Sequence, residues 1–171
     1  MIIIDTVKTV KVLRASFWGV PSVLDESPAV LRTAGLSKRI RKEVIFDDIF
    51  PAFPKGKVTA ITGQNGAGKT TLAQIICGLA RQTRGHILMD GEKARAAVRR
   101  REIYHCAIFS GRRILILDEP TSGLDGQNMR LIAERLRIEA RNGRTILVIT
   151  HDRELIESCC DNIVDVEKRS S

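Results

Sequence analysis

A chain of 171 residues, 43% hydrophobic and 28% charged, has room for one domain with a core of its own and a short arm. No run of eighteen apolar residues occurs, which excludes a membrane-spanning helix. The opening Met1-Ile2-Ile3-Ile4-Asp5 places its apolar residues ahead of its charges, the reverse of a secretory leader, so a cytosolic chain is expected. The formal charge of +8 gathers in Lys38-Arg39, Arg41-Lys42 and Arg99-Arg100-Arg101. Such clusters suit anionic partners, but with 4% aromatic residues, none interleaved, stacking on single-stranded nucleic acid is not expected. A solvated basic face is the favoured reading. Cys77, Cys106, Cys159 and Cys160 lack paired metal-ligand spacing and read as reduced thiols.

In chain order, residues 1–28 form an arm that the pattern does not resolve, ending at Ser27-Pro28, and residues 29–171 form the domain. Val30-Leu31-Arg32 starts a strand, and a second apolar run, Val44-Ile45-Phe46, ends at Asp47-Asp48. Pro51, Pro54 and Gly56 punctuate the approach to Lys57-Val58-Thr59-Ala60-Ile61-Thr62, whose β-branched, apolar character fits a buried parallel strand. A glycine-rich turn precedes a helix with Leu72, Ile75, Ile76 and Leu79 on one face, with Gly78 inside the pattern. His86-Ile87-Leu88-Met89 is a strand turned by Asp90-Gly91. Ile114-Leu115-Ile116-Leu117 is a buried strand ending at Asp118, and Met129, Ile132 and Leu136 mark the following helix, which stops near Asn142-Gly143. Thr145 to Thr150 is another buried strand, and Asp161 to Val166 is the last. Strands alternating with helices predict an α/β fold with a mainly parallel sheet.

Gly63-Gln64-Asn65-Gly66-Ala67-Gly68-Lys69-Thr70 matches G-x-x-x-x-G-K-[ST] completely. Glycines let backbone N–H groups converge on phosphate oxygens, and the helix that follows turns its positive end on the same anion. Lys69 suits the β- and γ-phosphates, and the Thr70 hydroxyl suits Mg2+. Asp118 and Glu119 emerge from a buried strand, where ligands bind in open α/β sheets. Asp118 suits the Mg2+ site, held directly or through water, and Glu119 suits polarising an attacking water. His151 ends the next strand on the same sheet edge, placed to reach a γ-phosphate. His86 and His105 have no such setting and read as incidental.

Gly63 through Leu72, with Thr71 beside the loop, resembles the Walker A motif of ABC-family ATPases. The run Ile114 to Asp125, containing Asp118-Glu119-Pro120-Thr121-Ser122-Gly123-Leu124-Asp125, resembles that family's Walker B strand and D-loop, and Thr150-His151-Asp152 its switch histidine. The resemblance extends from about Val30 to Val166 and is nearest to the energy-coupling ATPases of vitamin and metal-ion importers. It implies a P-loop NTPase core with a small antiparallel β portion, binding ATP and Mg2+. It further implies head-to-tail pairing with a second ABC ATPase subunit, a transmembrane permease partner, and a cytoplasmic location peripheral on the inner membrane face. A soluble ABC-like ATPase acting in regulation or on nucleic acid is the alternative, and a nucleotide-binding module without useful turnover is a third.

Three family features are missing. The Leu-Ser-Gly-Gly-Gln signature occurs nowhere, Ser110 stands where the Q-loop glutamine is expected, and Leu36 to Lys42 holds no aromatic residue to stack on adenine near Ile40. Only 48 residues lie between Lys69 and Asp118, so Phe109-Ser110 is read as the joint where a helical subdomain is largely absent.

Overall fold

The computed structural model describes residues 11–14, 29–96, 98–99, 103–105 and 112–166, and gives no side chains for 11–14, 29, 104 and 105. Eleven strands form two sheets among these residues. They are β1 (Lys11–Arg14), β2 (Ala29–Ile40), β3 (Glu43–Ile49), β4 (Ala52–Pro54), β5 (Val58–Thr62), β6 (Arg84–Met89), β7 (Glu92–Lys93), β8 (Ile103–His105), β9 (Ile114–Asp118), β10 (Thr145–Ile149) and β11 (Asn162–Asp165). The principal helices are α1 (Lys69–Ile76), α2 (Gly126–Arg141) and α3 (Arg153–Cys159).

The first sheet runs β1-β11-β5-β10-β9-β8, and every neighbouring pair in it is parallel. Its central strands are apolar on both faces because both faces are covered. Ile61, Ile114, Ile116, Leu147 and Ile149 point to one cluster, with Leu72, Ile75 and Ile76 of α1. Val58, Ala60, Leu115, Leu117, Ile146 and Val148 point to the other, with Met129 and Leu136 of α2 and Leu155 of α3. The alternation has period two along each strand, so one sheet serves two cores. Each fully buried leucine or isoleucine contributes roughly 1.5–3 kcal/mol.

The second sheet is antiparallel, in the order β3-β2-β6-β7 with β4 also on β2. It packs Leu31, Phe46 and Phe53 against the α1 side of the parallel sheet. The Pro51–Pro54 approach thus contains a short strand that the prolines obscure in the sequence. Asp90 and Gly91 (φ 49° and 85°) make the expected tight turn between β6 and β7.

Two expectations need correction. The helix after the glycine-rich turn ends at Ile76, and Leu79 is 63% exposed and outside it. Gly78 stops the helix: it adopts φ +76°, and a Cβ there would lie 2.8 Å from the Ala96 carbonyl oxygen. Arg99 is not part of a solvated basic face. It is 4% exposed, and its guanidinium donates to the Ile76 carbonyl at 3.1 Å, the Ile75 carbonyl at 3.3 Å and the Ala94 carbonyl. The last turn of α1 carries no basic residue, so Arg99 supplies the cation that its terminal carbonyls favour. Arg100, Arg101 and Cys106 lie outside the described residues, as do Phe109 and Ser110. Cys77, Cys159 and Cys160 are buried, and the sulfurs of the adjacent pair are 4.0 Å apart, too far for a disulfide.

Candidate nucleotide site

Register brings the chemistry to one edge. Asp118 is level with Ile149 on β10, and Ile149 is level with Ile61 on β5, so the C-terminal ends of three strands finish side by side. The glycine-rich loop leaves β5, Asp118-Glu119 leaves β9, and Thr150-His151 leaves β10.

Gln64, Asn65 and Gly66 are exposed, while Ala67 is buried and its N–H closes the loop on the Gln64 carbonyl at 3.1 Å. Gly68 is the N-cap of α1 with φ 93° and makes no side-chain cap bond. A Cβ there would sit 2.4 Å from Ile45 Cγ2 of β3, so both conformation and space demand glycine. The first turn of α1 holds no acidic side chain, which leaves its positive end for an external anion. Lys69 Nζ donates to the carbonyls of Gly63 at 2.7 Å and Gln64 at 3.0 Å, placing an ammonium against the loop. Thr71 is half-buried in the first turn of α1.

Thr70 Oγ1 donates to Asp118 Oδ2 at 3.1 Å, so two hard oxygen donors, one from the first turn of α1 and one from the end of β9, meet beside the loop. Among the described residues no three His, Cys, Asp or Glu side chains gather to cage a metal. That donor set fits Mg2+, which takes few protein oxygens and completes its shell with water and phosphate.

Glu119 stands one residue further on, with φ +47°, a left-handed conformation unusual outside glycine. Its N–H donates to the Ile149 carbonyl at 2.8 Å, and its own carbonyl accepts from the Ser122 N–H at 3.2 Å. His151 Nδ1 donates to Glu119 Oε1 at 2.9 Å. The imidazole is 88% exposed and the Glu119 side chain 33%. The structure thus brings Glu119 and His151 into direct contact, and Thr70 into contact with Asp118. His86 is exposed on β6, away from this edge, and the side chain of His105 is not described.

Sequence reasoning gave Thr150 and Asp152 no role of their own beside His151. Thr150 Oγ1 donates to Glu119 Oε2 at 3.3 Å and accepts from the Asp152 N–H at 3.1 Å. Asp152 caps α3 by accepting from the Leu155 N–H at 3.2 Å, and its other oxygen accepts from Thr121 Oγ1 at 3.1 Å. A buried hydroxyl ending an apolar strand beside a carboxylate was the signal available.

A family model described as ABC transporter matches residues 46–107, and one described as an AAA domain of the AbiEii toxin, type IV toxin–antitoxin system, matches residues 103–157. An ABC transporter ATP-binding protein of Treponema denticola is 28% identical over 181 aligned positions, covering 70% of this chain and 37% of its own length. Nod factor export ATP-binding protein I of Sinorhizobium fredii is 25% identical over 210 positions, covering 83% of this chain and 61% of its own. The chain is similar to ATP-binding proteins of ABC transporters.

The fold agrees. A cbiO1 structure from Clostridium perfringens, part of the ABC transporter complex cbiONQ, superposes with a TM-score of 0.74 at 20% identity, covering 84% of this chain and 88% of that one. A nucleotide-free ATP-binding cassette from an ABC transporter gives 0.75 at 14% identity, covering 83% and 90%. The chain spans only 37% and 61% of the two curated relatives. It is also shorter internally. Since 70% of 171 residues is about 120, about 60 of the 181 positions aligned with the Treponema protein face a gap. The two family models meet at residues 103–107, just ahead of the joint expected at Phe109-Ser110. Parallel β8 and β9 are accordingly linked by residues 106–113 alone, where a crossover ordinarily needs a dozen or more.

Proposed function

We propose that this ABC chain is the ATP-binding subunit of a transporter, binding Mg-ATP on the loop from Gly63 to Thr71 and working with a second ABC ATPase subunit and a transmembrane permease. The observation that carries the reading is the 3.1 Å contact of Thr70 with Asp118, beside a loop whose lysine faces its own carbonyls. Phosphate oxygens would take over Lys69 from those carbonyls, while backbone N–H groups of the loop and of α1 bind the same oxygens. Thr70 and Asp118 would hold Mg2+, which supplies charge neutralisation across the β- and γ-phosphates. Glu119 polarises and orients the attacking water and accepts its proton, and His151, held through Nδ1, turns Nε2 toward the γ-phosphate. Among the described residues no helix is long and apolar enough to cross a membrane, so a membrane position, cytoplasmic and peripheral, depends on the permease.

Thermal melting with and without Mg-ATP tests the reading, because a ligand that binds only the folded state raises the melting temperature by mass action. The native chain should show the shift and Lys69→Ala should lose it. An equal shift in both would remove the loop from nucleotide binding.

A further inference from the structure

Glu119 is held by more than His151. Its backbone sits in the left-handed region, so its side chain leaves the strand end at an angle that β9 alone does not set. One carboxylate oxygen, Oε1, meets the exposed imidazole of His151, which solvent surrounds. The other, Oε2, meets Thr150 Oγ1, and Thr150 is fully buried. The Thr150 hydroxyl is itself oriented: it accepts from the Asp152 N–H, so its single proton is left to point at Glu119. Asp152 is fixed in turn by Thr121 and by the first turn of α3. Among the described residues, the one contact on the carboxylate from a fully buried side chain therefore comes from the end of β10 through Thr150.

We propose that Thr150 is a positioning residue for Glu119, setting the rotation of its carboxylate so that Oε1 is offered to His151 and to water. The proposal rests on Glu119 being the general base of the reading above. Among the described residues, the Thr150 hydroxyl bonds to neither the phosphate loop nor the Thr70–Asp118 pair, so its removal should alter turnover without altering nucleotide binding. A general base must sit within hydrogen-bond reach of the proton it takes, and a shift of about 1 Å at a reacting group can cost on the order of a hundredfold in rate.

The test compares Thr150→Val, which keeps the shape and removes the hydroxyl, with Thr150→Ser, which restores it. The Glu119 carboxylate carbon is followed by NMR in the full chain, its resonance assigned by its loss in Glu119→Gln. It should move in Thr150→Val and return in Thr150→Ser, and Asp152 amide exchange should quicken only in the valine variant. With an intact ABC subunit added, single-turnover phosphate release should fall about tenfold or more in Thr150→Val, and the Mg-ATP melting shift should persist. Adding Thr150→Val to Glu119→Gln should bring no further loss. A Glu119 resonance identical in wild type and Thr150→Val overturns the proposal, as does an equal rate loss in the Glu119→Gln background. A native chain that shows no Mg-ATP melting shift removes the nucleotide reading instead, while the resonance comparison still decides whether Thr150 positions Glu119.

Discussion

Ile40 ends β2 half-exposed, followed by Arg41 at φ 55°, and no ring occupies Leu36 to Lys42. Base–aromatic stacking is worth roughly 1–3 kcal/mol per base, and an aliphatic side chain offers only contact area in its place. The residues proposed to bind phosphate do not distinguish one base from another. GTP should therefore compete with ATP within about threefold, less than the tenfold that 1.4 kcal/mol would produce. Competition binding with both nucleotides measures this, and an ATP preference well beyond tenfold would require another residue to hold adenine. At this scale the sequence was informative for a physical reason. Lys69, Thr70 and Asp118 belong to strings whose chemistry needs those residue types at that spacing, and the fold places Thr70 3.1 Å from Asp118. Thr150 and Asp152 flank His151 in its string, but their own roles were not legible there, since a hydroxyl's partner depends on which strands become neighbours.

Among the elements, α1 links the site to the rest of the chain, and its two ends are secured differently. Gly68 leaves the first turn open for an anion. Arg99 closes the last turn from a distant segment, through the Ile75 and Ile76 carbonyls, and also binds the Ala94 carbonyl. Arg99→Leu removes the charged donor from those carbonyls, although the Ile75 carbonyl keeps the Gly78 N–H, and hydrogen bonds to charged groups contribute roughly 1.5–3 kcal/mol each, with incomplete additivity. A loss of about 3 kcal/mol in unfolding free energy is expected from urea titration, against little change for an exposed arginine such as Arg81. Arg99→Lys should recover only part of it, because an ammonium lacks the planar fork that spans several carbonyls. A loss below about 0.5 kcal/mol would show that α1 is held by packing alone. The sequence hid this arrangement. Three consecutive arginines look like a charged surface, and burial of the first follows from where Gly78 turns the chain, a tertiary fact. Periodicity likewise carried α1 through Leu79, since an amphipathic pattern contains no account of a left-handed glycine. Strand periodicity fared better, because one face of each central strand had to meet α1 and the other α2 and α3.

At the scale of the whole molecule the candidate site is an open shelf. Two cavities of about 370 and 280 Å3 lie along α2, sharing Arg137 and Arg141, and neither touches the glycine-rich loop. Gln64, Asn65 and Gly66 face solvent, and His151 stands almost entirely exposed above Glu119. A shelf of this kind binds phosphate through backbone N–H groups but cannot exclude water from the γ-phosphate by itself. In the family that this chain resembles, a second subunit covers the shelf with its signature motif, and no Leu-Ser-Gly-Gly-Gln is present here to cover a partner copy. Two copies would bring two phosphate loops and no signature. Preorganised donors aimed at developing charge are worth roughly 10²–10³ in rate each when removed singly. The Q-loop glutamine, replaced by Ser110, would subtract further from the positioning of Mg2+ and water. The isolated chain is therefore expected to bind Mg-ATP and release phosphate at a rate near background. An intact ABC subunit, lending its signature to this shelf, should raise phosphate release at one composite site, and Glu119→Gln in this chain should abolish the increment. The measurement is steady-state phosphate release by the chain alone, by the mixture, and by the mixture with Glu119→Gln. Robust release by the chain alone that disappears in Glu119→Gln would mean that Glu119 and His151 suffice without the missing segment.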